Sequence, residues 1–386
     1  MAGAAPPLLE RLGVRYLRWR ASGVAAAQAP ASDEVHVLNV EERRALRRIE
    51  RTAIGRAALA GALSGLACAI PVLLLPEPPG GDTAGLVRYW AIVGGVMAVA
   101  SVAEIGFLYW DALRAVHELA VAAGLRVRDE PHGEDAAMVV AALARAALEL
   151  PNPPNDGLGV DPTRETSRWK VLAASLLYKL KVALTGFVLK AILRRALGRV
   201  VVRSWLELVA VPVTAAWNAA VCWIVLREAR LRAMGPSAAI ELARVLFADG
   251  LRLTESGRAA VLRAIGGSIV RTGDLHPNLT ALLRAARARV GDAPVEALDD
   301  TRRFLDELPR LPAAEQALVL RVTAVAAILD GKLAPAERRL LGEAFTACGR
   351  PFEVRRVERL RRAFLRGEPL DPALVTALAG VEPVPT

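Results

Sequence analysis

Carboxylates at two Asp-Gly corners are the residues of this chain best suited to chemistry. The stretch AILDGKLAPAERRLL (327–341) places Asp330 before a glycine and Glu337 seven residues later. The stretch FADGLRLTESG (247–257) places Asp249 before a glycine and Glu255 six residues later. Such carboxylates can ligate a divalent cation, share a proton in acid–base catalysis, or simply stabilise the ends of neighbouring helices. The spacing alone leaves all three roles open.

The second corner does not match an EF-hand calcium loop. That loop needs oxygen ligands at positions 1, 3, 5 and 12 and a glycine at position 6. Counting from Asp330, Gly331 falls at position 2, Lys332 at position 3 and Ala334 at position 5. Calcium binding in the EF-hand manner is therefore excluded.

A metal site would instead have to bridge the two corners. Asp249 and Asp330 would face each other, and Glu337 or Glu255 would add a ligand; His276, in the loop DLHPNL, could add another or be only a turn residue. The structural alternative is that each aspartate caps a helix, each glycine supplies a positive φ, and the glutamate favours a helix N-terminus. We expect the structural role unless the two corners meet.

Composition excludes several other function classes. The chain has 386 residues, a net charge of +10 and a pI near 10.2, but its arginines flank apolar runs and are not interleaved with aromatic residues, so we expect no nucleic-acid partner. Three widely spaced cysteines form neither a disulfide framework nor a zinc pattern. No nucleophile–base set, P-loop or dinucleotide fingerprint is present, so we do not expect an enzyme.

Two apolar segments predict a transmembrane hairpin that would hold the rest of the chain at a bilayer. Residues 57–76 carry no charge, and as a helix they are about 30 Å long, one hydrocarbon thickness. Residues 89–110 begin with Tyr89–Trp90 and end with Tyr109–Trp110, a spacing that suits aromatic belts at two interfaces. Asn39 and Glu42 predict a capping box, so that the first helix would begin near residue 40.

The charges around this hairpin predict its orientation. Arginines precede the first segment and follow the second, which by the positive-inside rule places both flanks in the cytoplasm. Glu104 lies inside the second segment, and we expect it to reach the interface or to pair with an arginine. The alternative is that Glu104 lines the path of a small transporter or channel.

The N-terminal residues predict an amphipathic helix. Leu8, Leu12, Tyr16 and Trp19 share one helical face, and arginines occupy another. Such a helix can lie on anionic lipid head groups or dock on the core of the same protein. Both interpretations stay open.

The segment 170–235 is apolar but interrupted by lysines and arginines. Its uncharged runs at 171–178 and 182–189 are each about 12 Å long as helix, too short to cross a bilayer. The uncharged run 208–226 is long enough to cross. We favour a re-entrant or protein-packed membrane-associated hairpin over 170–235; the alternative has four crossings, with Pro212 at a kink and Asn218 in a buried polar contact.

A resemblance to a known family rests on the two Asp-Gly stretches. The segment ILDGKLAPAERRLL resembles the TerB (tellurite-resistance B-like) helical domain, and FADG upstream is similar to the first half of that family. The resemblance covers about 236–371 and implies acidic residues near one face, with a link to metal ions and membrane-associated stress systems. Carried over residue by residue, it selects Asp249, Asp330 and Glu337, whereas Glu255 is one residue out of register.

The layout as a whole is similar to that of uncharacterised bacterial integral-membrane proteins that carry such a domain. We therefore expect an all-α protein of the bacterial inner membrane, with both termini in the cytoplasm, acting as a scaffold or stress sensor. The expected partners are the lipid bilayer, anionic lipid head groups and another protein. No cofactor is expected, and a divalent metal ion is the one ligand that the two corners leave open. The alternatives are a metal-ion-responsive regulator and a small transporter or channel.

The predicted units follow from these segments. They are a basic N-terminal segment (1–56), the transmembrane hairpin (57–110), cytoplasmic helices with a linker (111–169), the membrane-associated hairpin (170–235) and a pseudo-symmetric helical bundle (236–386).

Overall fold

The regular elements of the protein are helices, which confirms the predicted all-α class for the described residues. The computed structural model describes residues 7–21, 37–75, 82–124, 134–152, 159–162, 164, 203–248, 250–291 and 297–379. The helices are α1 (Leu8–Ala21), α2 (Val40–Leu74), α3 (Thr83–Ala122), α4 (Glu134–Ala147), α5 (Arg203–Leu246), α6 (Glu255–Thr272), α7 (Pro277–Val290), α8 (Thr301–Glu307), α9 (Ala313–Leu329), α10 (Pro335–Ala347), α11 (Val354–Arg366) and α12 (Pro372–Ala377).

Helix α2 begins where the sequence predicted. The Asn39 side chain accepts from the Glu42 backbone N–H at 2.8 Å, and the Glu42 carboxylate accepts from the Asn39 N–H at 2.8 Å. This capping box satisfies two N–H groups that the first turn of a helix cannot pair internally. The helix then runs without interruption for 35 residues, through Pro71, to Leu74.

Helices α2, α3 and α5 pack against one another and form the apolar half of the molecule. Helices α2 and α3 are both long and apolar enough to cross a membrane. In the most apolar stretch of α3 only 6% of the residues are buried. Most of that stretch therefore projects apolar side chains away from the protein.

Helix α5 connects this half to the C-terminal half. It is one helix of 44 residues that passes through Pro212 and Pro236. The predicted boundary between residues 235 and 236 thus falls inside a helix, and residues 203–235 form no hairpin of their own. The first part of that predicted hairpin, 170–202, lies outside the described residues.

The C-terminal half packs around α9. All residues of this helix from Leu318 to Leu329 are buried, and α6, α7, α10 and α11 pack against it. Each predicted Asp-Gly stretch joins two helices, α5 to α6 and α9 to α10. The two helix–turn–helix units predicted from sequence are thus present.

Helix α1 docks on the protein, but not through the predicted face. Glu10, Gly13 and Leu17 are buried, and Glu10 forms an ion pair of 2.7 Å with Arg145 of α4. The predicted apolar face is largely exposed, Leu8 and Trp19 being 70% and 66% accessible. Docking uses the small residue Gly13, where a Cβ would lie 2.9 Å from Leu148.

Candidate functional site

The Asp330 corner is a buried junction between four helices. Asp330 ends α9, is 6% exposed, and accepts a hydrogen bond of 2.7 Å from the Lys332 backbone N–H. Gly331 has φ +75°, and a Cβ there would lie 2.5 Å from Leu231 of α5. Arg227 of α5 and Arg361 of α11 both donate to the Gly331 carbonyl, at 3.3 and 3.1 Å. The predicted positive-φ glycine is confirmed, and its conformation brings a carbonyl to two arginines.

Glu337 occupies the third position of α10 and is 1% exposed. One carboxyl oxygen accepts from the Ala334 backbone N–H at 2.9 Å, whereas the other, Oε1, is buried without a hydrogen-bond partner among the described residues. Burial, followed by the neighbouring charge of Asp330, raises the pKa of Glu337 far above its ordinary value. Burial likewise raises the pKa of Asp330. The pair therefore resists carrying two negative charges, and Glu337 keeps its proton at neutral pH.

Glu228 and His276 form a hydrogen-bonded pair beside this junction. Nε2 of His276 lies 3.2 Å from Oε1 of Glu228, and Nδ1 accepts from the Asn278 backbone N–H at 3.3 Å. The hydrogen-bond network thus assigns the ring proton to Nε2. Burial alone would raise the pKa of Glu228, but the hydrogen bond from His276, with the charge and the hydrogen bond of Arg232, holds it at about 2.

Asn278 ties this site to two helices. Its side-chain amide donates to the Leu231 carbonyl of α5 at 3.0 Å and to the Leu329 carbonyl of α9 at 2.7 Å. Gly235 of α5 makes room for it, since a Cβ at that position would lie 1.9 Å from Asn278. The sequence predicted a turn residue at His276, which is the N-cap of α7, but it did not predict Asn278 or Glu228.

The first Asp-Gly corner is built differently. Asp249 lies outside the described residues, and Glu255 is exposed at the first position of α6. The position equivalent to Glu337 is Gly257, because Thr254 and Ala334 are the respective N-caps. Glu255 is thus not the structural counterpart of Glu337.

A carboxylate from another helix takes the place of the missing one. Glu315 of α9 accepts hydrogen bonds of 2.8 Å from both the backbone N–H and the hydroxyl of Thr254. A Cβ at Gly257 would lie 2.1 Å from the Glu315 carboxylate, so only glycine leaves room for it. At the second corner the carboxylate comes from the helix that the corner opens, as Glu337 of α10. At the first corner it comes from α9, as Glu315.

Among the described residues, no three His, Cys, Asp or Glu side chains are grouped so that they could hold a metal ion. Asp330 and Glu337 do interact, whereas Glu255 is exposed at the first position of α6. Because Asp249 is not described, the bridging metal site of the sequence analysis stays a prediction.

A seam of small residues joins α2 to α5 in the apolar half. A Cβ at Gly61 would lie 2.6 Å from the Thr214 carbonyl oxygen, and one at Gly65 would lie 3.1 Å from the Val211 Cα. The Thr214 hydroxyl donates to the Gly61 carbonyl at 2.9 Å. Gly-x-x-x-Gly spacing and a hydroxyl bond of this kind are typical of packed membrane helices.

Glu104 of α3 contacts this seam through a hydrogen bond with the side-chain amide of Asn218. The buried Asn218 side chain of α5 donates to Oε1 of Glu104 at 2.6 Å. Among the described residues, the partner of Glu104 is this neutral amide from another apolar helix and not the arginine that the sequence led us to expect. The buried polar contact predicted for Asn218 is confirmed.

A cavity of about 350 Å³ lies next to Asn218, between α2, α3, α5 and the end of α4. Its lining residues are apolar, aromatic or the thiol Cys222, apart from Asp111, Glu149 and Asn218. Asp111 is 3% exposed and pairs with Arg56 at 2.8 Å. The volume lies within the range of small-molecule sites.

Two arginine–tryptophan pairs lie near the level of this cavity. The Arg114 guanidinium lies 5.8 Å from the Trp110 ring on α3, and that of Arg227 lies 6.0 Å from the Trp223 ring on α5. Both tryptophans are about half exposed. A cation over an exposed indole is suited to a boundary between an apolar and an aqueous phase.

Comparisons with known proteins give no relatives. No family model, no curated protein and no solved structure matches this chain. The TerB resemblance therefore stays a prediction from the residues.

Proposed function

We propose that this chain is a membrane-embedded scaffold or sensor whose C-terminal helical bundle lies on the cytoplasmic side. The main support is the most apolar stretch of α3, in which only 6% of the residues are buried. Val99 and Val102 are 71% and 72% exposed, and Leu59 and Leu63 of α2 are 60% and 58% exposed. Water would penalise such a surface at about 25 cal/mol per Å², whereas lipid would not.

The register of α5 favours the four-crossing alternative. Helix α5 runs antiparallel to α2: Val211 lies against Gly65, Thr214 against Gly61, and Arg230 pairs with Glu50 at 2.8 Å. The N-terminus of α5 extends about 12 Å beyond Val211, and the C-terminus of α2 about 14 Å beyond Gly65, so the two ends are level. If α2 crosses the membrane, α5 crosses beside it in the opposite direction.

The continuity of α5 supports a sensor rather than a passive anchor. The same helix contacts Gly61 at one end and holds Glu228, Leu231 and Gly235 against α7 and α9 at the other. Tilting or rotating its apolar half would move the Asp330 junction, because Arg227 and Leu231 contact Gly331 directly. A change in the bilayer can thus reach the cytoplasmic bundle through one rigid element.

Localisation and topology can be tested together. Single cysteines introduced into a variant lacking Cys68, Cys222 and Cys348 would be labelled in intact cells with a membrane-impermeant maleimide. Labelling of positions 80 and 203, but not of 152 or 379, supports four crossings; labelling of 80 alone supports two. Recovery of the chain in the soluble fraction after lysis would contradict the membrane proposal itself.

One observation favours a metal-responsive regulator as a second candidate: the buried Oε1 of Glu337 beside Asp330 has no hydrogen-bond partner among the described residues. A divalent cation would displace the Glu337 proton and bridge the two carboxylates. Calorimetry on the full chain with Ca²⁺, Mn²⁺ and Zn²⁺ should then show binding that Asp330→Asn removes and that Glu255→Gln, at an exposed position, leaves intact. Absence of binding at millimolar ion would reject this candidate.

A further inference from the structure

The cavity beside Asn218 offers a ligand mainly apolar walls. Its few polar lining residues already have interaction partners within the protein. Asp111 pairs with Arg56, and Asn218 donates to Glu104. Glu149 is engaged as well. A ligand would therefore gain little from hydrogen bonding, and the surface left for it is hydrocarbon and aromatic.

The mouth of the cavity lies between α3 and α5. Ile105, Tyr109 and Trp217 line the cavity and are still 36%, 37% and 44% exposed. The opposite wall is closed, since Ala57 of α2, Ala147 of α4 and Val225 of α5 are at most 5% exposed. The cavity is thus a blind pocket that opens sideways onto the apolar surface of the bundle.

We propose that this pocket holds one acyl chain of an inner-leaflet phospholipid. The inference rests on the proposed membrane location, which makes acyl chains the most abundant apolar species at the mouth. The mouth lies beside Trp110 and Trp223, whose rings stack with Arg114 and Arg227. Both guanidinium groups lie at the level where the phosphate of such a lipid would sit. Arg114 also pairs with Glu118 at 2.9 Å, which reduces the net charge on its side of the mouth.

The pocket touches the elements that link the two halves of the protein. Helix α5 contributes Val221, Cys222 and Val225 to the pocket. Two residues after Val225, the Arg227 side chain donates to the Gly331 carbonyl. An acyl chain between α3 and α5 would hold these helices at their present separation. Occupancy by lipid would thus set the position of α5 relative to the Asp330 junction.

Photo-crosslinking tests the pocket in the full chain. The protein would be reconstituted in phosphatidylglycerol and phosphatidylethanolamine vesicles containing a phospholipid with a diazirine near the middle of one chain, a depth that reaches both the pocket and the exposed face of α3. Mass spectrometry should find label on Ala57 and Val225, which an acyl chain can reach only through the pocket. It should also find label on the outward-facing Val99 and Val102.

Filling the pocket provides the matched comparison. Ala112→Phe places a ring in the pocket and should lower labelling of Ala57 and Val225 roughly tenfold, the loss expected from an overpacked site. Val99→Phe adds the same ring on the exposed surface and should leave that labelling unchanged. Val221→Phe places a ring in the pocket from α5 instead of α3, and it replaces Ala112→Phe in the experiment if that variant does not fold.

The outcomes separate the two proposals. Label on Val99 and Val102 without label on Ala57 or Val225 would overturn the acyl-chain site while supporting the membrane location. Pocket labelling that survives both filling substitutions would also overturn it. Absence of label at all four positions would overturn the membrane location itself.

Discussion

Replacing Gly61 by alanine should separate α2 from α5. The added Cβ would lie 2.6 Å from the Thr214 carbonyl oxygen and 2.8 Å from the Asn218 amide nitrogen, both well inside van der Waals contact. The helices must move apart, and the hydrogen bond from the Thr214 hydroxyl to the Gly61 carbonyl is strained or lost. Overpacking of this kind costs about 1–3 kcal/mol, and an interhelical hydrogen bond in a membrane adds about 0.6 kcal/mol.

Gly95→Ala is the matched control. Gly95 lies in α3, and a Cβ there would meet nothing within 4 Å. Since alanine is favoured over glycine in a helix by about 0.5–1 kcal/mol, this control should be neutral or slightly stabilising. We therefore expect Gly61→Ala to lie about 2–4 kcal/mol below Gly95→Ala in free energy of unfolding.

The assay is reversible unfolding of the two purified variants in the same mixed micelles, followed by circular dichroism as denaturing detergent is added. Gly65→Ala, whose Cβ would lie 2.9 Å from the Thr214 hydroxyl, should behave like Gly61→Ala. Equal stability of Gly61→Ala and Gly95→Ala would refute close packing of α2 on α5 and, with it, the register from which four crossings were inferred.

Three further predictions concern buried polar groups. Gly235→Ala should expel Asn278 from its two carbonyl bonds and lower the free energy of unfolding by about 3 kcal/mol, whereas Gly342→Ala, with open space around it, should not; thermal unfolding of both would decide. The raised pKa of Glu337 means that the folded state binds more protons than the unfolded state above about pH 4.5. The free energy of unfolding should thus fall as pH rises from 5 to 8, by at most about 1.4 kcal/mol per pH unit, and Glu337→Gln should flatten this slope; an unchanged slope would assign it to another group. Asn218→Leu should cost about 1 kcal/mol by leaving Glu104 without its donor, and adding Glu104→Leu should recover most of that loss in the same unfolding assay.

Interactions between residues close in sequence were predictable. The Asn39–Glu42 capping box spans three residues, and the positive φ of Gly331 follows directly from the end of α9. Such features depend on backbone sterics and on N–H groups that any helix end leaves unpaired, so residue types at fixed offsets reveal them. The two apolar segments were recognisable because hydropathy, too, is a property of a continuous stretch of sequence.

Partners far apart in sequence were not predictable. Glu104 meets Asn218 across 114 residues, and Glu315 meets Thr254 across 61. Glu255 was chosen as the counterpart of Glu337 by its charge, but the three-dimensional counterpart is Gly257, whose missing side chain admits Glu315. A single sequence gives no covarying pairs from which such contacts could be read.

Pro236 shows how packing can override a local rule. Proline removes a backbone donor and usually ends a helix, so a helix that runs through Pro236 goes against the local preference of the chain. In the structure α5 continues to Leu246, and Asn278 of α7 packs against Gly235 and donates to the Leu231 carbonyl five residues before the proline. Tertiary packing of α7 on this part of α5 thus accompanies a helix that continues through the proline.

The glycine seam also has a consequence for synthesis of the chain. Gly61 meets its partner Thr214 only 153 residues later, which at 5–20 residues per second is a delay of roughly 8–30 s. During this interval α2 and α3 have been made, but the glycine face of α2 has no helix to cover it. Whatever surrounds the nascent chain must shield that face until α5 emerges, because Gly-x-x-x-Gly faces also pair with other helices. Slow elongation between residues 65 and 211 should therefore favour mispaired chains over correctly packed ones.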